Sequence, residues 1–360
     1  MQGRASTVAA MGRGGVAAET GAPRRHCRMS RAAASMLGAV MVVAACGAGG
    51  HKTATPSPTS TAVEGRSAAS TPGRPSAWRG RTPAPTARQE VARTVLDGRV
   101  WVLGGLTPSG VTDTVDVYDP LADRWAPGPA LPVALHHAAA VTYRGEVVVV
   151  GGFLGGADLY GRPSDRVLAL RGGAWVDLPN LRRPRGAAAA AVVADLLVVV
   201  GGRESGGLVA PTEVFDGTRW QDRSAPPVLR DHLAAVSDGQ ALYAVGGRLL
   251  APGRTSGAFE RYDPSDDQWQ ALPALPTARG GLDAALVGTR LVVVGGEDAS
   301  RTFGEAEAFD LTSGSWSTLR PLPTPRHGLA VAVVGSELFA LAGGTRPGVA
   351  PSAVAEALSP

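Results

Sequence analysis

Four histidines, His136, His137, His232 and His327, and five arginines, Arg203, Arg248, Arg254, Arg301 and Arg346, are the side chains of this 360-residue chain best suited to chemistry or ligand capture. Imidazoles gathered at one point can hold a transition metal or move a proton, and forked guanidinium donors grip carboxylates, phosphates or sugar hydroxyls. No carboxylate or cysteine stands at ligand spacing from the histidines, so neither a metal site nor a cofactor is expected from spacing. Asp231 precedes His232, but neighbours along a strand point to opposite faces, which argues against an acid–base pair. Tyr160 and Arg162 lie in a stretch, 153–165, that is longer than its counterparts. It reads as a specificity loop or as a tolerated insertion.

These residues recur at fixed places. A Gly-Gly pair closes an apolar run at Gly104-Gly105, Gly151-Gly152, Gly201-Gly202, Gly246-Gly247, Gly295-Gly296 and Gly343-Gly344, about every 48 residues. Downstream of the first five pairs come Trp125, Trp175, Trp220, Trp269 and Trp316, and ten residues after each lies Arg185, Arg230, Arg279 or Arg326, with Leu135 once in that slot. An aromatic-acid step, as in Tyr118-Asp119, Phe215-Asp216, Tyr262-Asp263 and Phe309-Asp310, sits between glycine pair and tryptophan. A period near 50 residues built of short strands predicts an all-β propeller, because one four-stranded sheet buries both faces only by stacking in a ring. Glycine pairs allow positive φ and close backbone approach between blades, and tryptophan fills the wedge between sheets. The runs before the glycines, such as Val147 to Val150 and Leu291 to Val294, are apolar on both faces, whereas first strands such as Ala138 to Val141 carry small residues suited to the crowded inner end of a blade. The histidines follow the same columns, and column symmetry accounts for them as well as convergence does. The column arginines are expected to bind backbone or acidic groups of the next blade, leaving the loop arginines as ligand candidates.

With these columns the chain resembles the kelch family over residues 78 to 360. Trp78 lies ten residues before Arg88, the internal interval, while the last repeat stops at Leu358-Ser359-Pro360, where its fourth strand should begin. The reading is therefore six blades, closed by an N-terminal strand that completes the C-terminal blade and removes both free edges. The resemblance implies binding of a protein or glycan on the face that carries the loops after each glycine pair and the loops leading into each first strand. Galactose-oxidase-like enzymes of similar repeat need a tyrosine cross-linked to cysteine, and residues 78–360 contain no cysteine. The string Asp216-Gly217-Thr218-Arg219-Trp220 places its glycine one position too early for a sialidase box. The alternative to a non-catalytic module is a sugar-active enzyme similar to N-acetylneuraminate epimerase.

Residues 1–45 read as a signal peptide: Arg28 and Arg31 lead into the apolar stretch Ala32 to Ala45, too short for a bilayer-spanning helix. The ending Val43-Ala44-Ala45-Cys46 resembles a bacterial lipobox, which makes Cys46 the lipidation site and places the protein in the cell envelope, anchored on the outer side of the cytoplasmic membrane. Residues 46–77, rich in Ser, Thr, Pro and Gly, read as a flexible linker. The formal charge of +4 is carried by the leader: residues 78–360 hold 26 Lys+Arg against 29 Asp+Glu, which excludes a nucleic-acid protein on net charge. A monomer is expected.

Overall fold

The computed structural model describes residues 77–156 and 159–359. The signal-peptide, lipobox and linker assignments lie outside the described residues. Six antiparallel four-stranded sheets follow one another around a central channel. Blade 1 is Ala92–Leu96, Arg99–Leu103, Val115–Asp119 and Arg124–Pro127; blade 2 is Ala139–Tyr143, Glu146–Val150, Val167–Arg171 and Ala174–Leu178; blade 3 is Gly186–Val193, Leu196–Glu204, Thr212–Phe215 and Trp220–Arg223. Blade 4 is Ala234–Ser237, Leu242–Val245, Phe259–Asp263 and Gln268–Ala271, and blade 5 is Asp283–Val287, Arg290–Val294, Ala306–Asp310 and Ser315–Thr318. Blade 6 joins Ala330–Val334, Glu337–Leu341 and Ala355–Leu358 to Trp78–Gly80, with Trp78 opposite Leu358 and Gly80 opposite Glu356. The ring is closed as the interval at Trp78 predicts, and no helix occurs among the described residues.

The core lies between blades rather than within them. Along Glu146–Val150, Val148 and Val150 pack into blade 3 with Leu197, Phe215 and Trp220, while Val147 and Val149 pack into blade 1 with Leu103 and Val115. This is why the second strands are apolar on both faces: alternate side chains enter different cores.

Two circles of equivalent hydrogen bonds hold neighbouring blades together. In the first, the N–H of the second residue of each glycine pair donates to the carbonyl at the arginine column of the next blade: Gly105 to Leu135, Gly152 to Arg185, Gly202 to Arg230, Gly247 to Arg279, Gly296 to Arg326 and Gly343 to Arg88. A Cβ at the first glycine would meet that same carbonyl oxygen at 2.4 Å from Gly151 and 2.5 Å from Gly201. In blade 6 the slots are filled by Ala342 and Gly343, not Gly343 and Gly344: Ala342 takes φ +57° and Gly343 makes the circle's bond. The glycine-pair reading is thus shifted by one residue there: in this blade the first slot holds a left-handed alanine, and the second keeps glycine at the wide φ of 104°. In the outer circle the indole N–H of each of the six fourth-strand tryptophans donates to a carbonyl just past the fourth strand of the preceding blade, from Trp78 to Arg320 through Trp125 to Thr82 and on to Trp316 and Pro273.

The column arginines Arg88, Arg185, Arg230, Arg279 and Arg326 are fully buried. Each pairs with a carboxylate on the third strand of its own blade: Asp116, Glu213, Glu260, Glu307 and Glu356, at 2.5–2.6 Å. The expectation that they bind acidic groups of the next blade is corrected: the guanidinium stays in its own blade, and the arginine's backbone carbonyl makes the inter-blade bond. Blade 2 substitutes an apolar pair, Leu135 and Leu168, both buried in one cluster. Inside the channel Arg93 of blade 1 reaches Asp283 of blade 5 through two bonds of 2.9 and 2.8 Å and donates also to the Ala284 carbonyl. It borders both an upper chamber of about 100 Å³ and a lower one of about 300 Å³.

Two expectations follow. Arg185→Leu leaves the buried Glu213 carboxylate without its cationic partner, only the Arg182 N–H still donating to it, and should cost about 3–5 kcal/mol in denaturant unfolding, whereas adding Glu213→Leu, which copies blade 2, should restore most of that loss. Removing the closing strand, Trp78 to Gly80, should lower the thermal midpoint by several degrees and promote self-association through the bared edge of Ala355–Leu358, measured by calorimetry and light scattering.

Candidate functional site

The loops after the glycine pairs and the loops leading into the first strands meet on one face. There, the residue after each column position bridges the residue after each glycine pair: Gln89 with Leu106, His136 with Phe153, Gly186 with Arg203, Asp231 with Arg248, Gly280 with Glu297 and His327 with Gly344. The next residue along, Glu90, His137, Ala187, His232, Gly281 or Gly328, has left-handed φ in all six blades, from 51° at His137 to 64° at Gly281. Their backbones form a third, innermost circle: His137 N–H donates to Glu90, Ala187 to His137, His232 to Ala187, Gly281 to His232 and Gly328 to Gly281, with Val91 returning the bond to Gly328. A left-handed residue other than glycine carries a strain of order 1 kcal/mol, and four of the six positions accept it. The result is that Glu90, His137 and His232 line the upper chamber at the channel mouth.

The four histidines therefore occupy two positions, not one equivalent set. His136 and His327 lie on the bridge positions, whereas His137 and His232 lie on the left-handed circle. The expectation that Asp231 and His232 cannot cooperate is also corrected. With φ +53°, His232 leaves strand geometry, and its Nδ1 lies 2.9 Å from Asp231 Oδ1.

Glu90 is the residue that spacing did not single out. Its Oε2 is 3.1 Å from His137 Nε2, and its Oε1 is 3.0 Å from His327 Nδ1, which is also 3.1 Å from Glu297 Oε1. Arg248 forms a short ion pair with Glu297. Burial pushes the Glu90 carboxyl up, but the facing His137, His327 and His232 imidazoles outweigh it and hold the group well below the usual carboxylate range. Burial holds His137 well below the ordinary histidine value and His136 down to about 4. For His327 burial acts in the same sense, yet hydrogen bonding and charge from Glu90, with Glu297, carry it above the ordinary value. Burial raises Glu297, opposed by His327 and Arg248. The mouth thus sets His327, raised by its two carboxylate neighbours, beside His136 and His137, which burial holds down. The signal for Glu90 was present in its offset from Arg88, the same two residues that separate His232 from Arg230.

The candidate arginines divide by environment. Arg248 is buried in its pair with Glu297 and is part of the mouth. Arg203 is half-buried, stacked 4.8 Å over the Tyr160 ring, which itself packs against His137 and His232 with centroids 5.6 and 5.9 Å away. Burial pushes the Tyr160 hydroxyl up to about 12. Tyr160 therefore roofs the histidines. Arg162, Arg254, Arg301 and Arg346 are exposed on the loop face, Arg301 lying 4.0 Å over Phe303.

The repeats have recognisable relatives. A family model described as the KLHDC2/KLHL20/DRC7 Kelch-repeats domain matches residues 181–344, and one described as the Kelch motif matches residues 88–132. Kelch-like protein terF of Aspergillus terreus is 27% identical over 61% of this chain and 52% of its own length. Kelch-like protein 23 of Homo sapiens is 25% identical over 56% of this chain and 36% of its own, and beta-scruin of Limulus polyphemus is 26% identical over 58% and 24%. The chain thus spans about half or less of the length of these relatives. With kelch sequence matches over more than half of its residues and six blades in one closed ring, the chain is a six-bladed kelch-type β-propeller.

Proposed function

We propose that the chain is a tethered recognition module that offers its loop face to a protein partner at the outer side of the cytoplasmic membrane of a bacterial cell. The observation that carries this reading is the company kept by its exposed apolar side chains. Among the described residues three large hydrophobics are exposed, Leu121, Leu250 and Val349, at 98%, 43% and 59%. Leu121 lies in a turn on the opposite face, but Leu250 and Val349 lie on loop tips of the face that carries Arg254, Arg301 and Arg346. The loops form one rim: Thr302 Oγ1 donates to the Thr345 carbonyl, Glu297 accepts from Gly348 N–H, and Gln89 binds both Gly348 and Ala350. Leu250 holds φ +71° at its tip, a strained backbone of the kind that concentrates at binding sites. Apolar tips set among arginines match the make-up of protein interfaces better than that of a sugar cleft. The tether rests on the Val43 to Cys46 segment and its Ser/Thr/Pro/Gly-rich continuation.

Photo-crosslinking residues placed at positions 250, 301 and 349 in the intact chain should trap one common protein, and the same probe at position 121 should not. Adducts confined to position 121, or glycan adducts alone at the loop tips, would overturn the assignment. Leu250→Asp with Arg301→Glu should weaken that capture at least tenfold. For the tether, Cys46→Ala should release the protein from the membrane fraction and abolish incorporation of labelled fatty acid; an unchanged membrane fraction would refute lipid anchoring.

A further inference from the structure

We propose that Glu90, His137 and His232 form a binding site for one divalent transition-metal ion at the mouth of the channel. One ligand atom from each of these three buried residues lies within 4.8 Å of the other two. The separation of 3.1 Å between Glu90 Oε2 and His137 Nε2 matches the edge of a coordination polyhedron built on metal bonds of about 2.0–2.2 Å. At the same time the contact is not a well-aligned hydrogen bond: Nε2 of His137 and Nε2 of His232 are both buried without a hydrogen-bond partner. The two side chains are only 3% exposed. Orphaned imidazole nitrogens at that depth are costly unless something binds them.

The remaining ring nitrogens are arranged as a metal site requires. His232 Nδ1 is held by Asp231 Oδ1 at 2.9 Å, and His137 Nδ1 lies 2.6 Å from His136 Nδ1, so both rings are oriented by neighbours through Nδ1 and present Nε2 to the centre. A carboxylate behind a ligating imidazole fixes its tautomer and strengthens it as a donor. Two imidazoles and one carboxylate are a donor set for zinc or iron(II) with positions left open, and here the ligands border the upper chamber of about 100 Å³. The fold explains why the three meet. All are on the left-handed circle, in blades 1, 2 and 4, and blade 3 contributes only Ala187 between the histidines, which lets their rings approach to 4.8 Å between centroids. The neighbouring group of Glu90, Glu297 and His327 is the weaker candidate, because the Arg248 guanidinium already occupies Glu297.

The test uses the full chain, stripped with chelator, reloaded with Zn²⁺ and desalted. One zinc per chain should be retained, and zinc-edge X-ray absorption should show two imidazole nitrogens and at least one oxygen at about 2.0–2.2 Å. His232→Ala and Glu90→Gln should each lower zinc affinity more than tenfold. Asp231→Asn, which leaves all three ligands in place, should weaken it about 10–100-fold without changing the stoichiometry. Circular dichroism in chelator shows whether each variant is folded, and the absorption measurement on the unaltered protein decides the matter even if a variant is not. Failure of the unaltered protein to retain zinc, a shell with fewer than two imidazoles, or affinity unaffected in folded His232→Ala would each overturn the site.

Discussion

The bond between a glycine N–H and the carbonyl at the next blade's arginine column is the constraint around which the molecule is arranged. It asks for backbone at positive φ on one side, where a Cβ on the donating glycine would crowd its own blade, as at Gly202 against the Gly186 carbonyl at 2.9 Å. On the other side it asks for a carbonyl held in place. The arginine meets the second demand by sending its guanidinium back into its own blade, as Arg185 does to the carbonyls of Gly201 and Pro211 and to Glu213. One residue thus fastens two sheets, by its main chain in one direction and its side chain in the other. Because the carboxylate partner and several carbonyls accept its donors, the buried charge is compensated where it sits. The Leu135 and Leu168 pair of blade 2 shows that the carbonyl is the part the ring cannot lose.

That division explains what could be read from residue order. Glycine pairs, tryptophans and column arginines each meet a demand that few residue types satisfy, so they recur visibly, and the closing strand at Trp78 followed from the same interval. The exception at Ala342 is instructive: its slot tolerates a left-handed alanine, so the column blurred by one residue there. Glu90 was harder to see because its role depends on convergence around an axis, a property of the ring rather than of any stretch of chain. The pairing of Asp231 with His232 escapes strand alternation for a local reason, since His232 has φ +53° and leaves the strand there.

At the mouth, rigidity and strain are two aspects of one arrangement. The innermost circle of backbone bonds holds Glu90, Ala187, His137 and His232 in conformations that an isolated loop would abandon. Glycine at the two remaining positions, 281 and 328, relieves the same geometry where no side chain is presented. The polar side chains that result are buried, closely spaced and roofed by Tyr160, in contrast with the open arginines and apolar tips of the surrounding rim. Two kinds of surface therefore lie on one face, a small enclosed centre and a broad accessible border.

The strut from Arg93 to Asp283 gives the axis of the ring a different character from a pore. By joining blade 1 to blade 5 past blade 6, it ties first strands that are not neighbours in the ring and sets a charged pair on the wall between the two chambers. Asp283 also accepts the N–H of Val331 in that bypassed blade, so displacing the guanidinium would loosen three first strands together. The two ends of the propeller are for this reason linked through charge and strand position by a single part-buried contact shared between three blades.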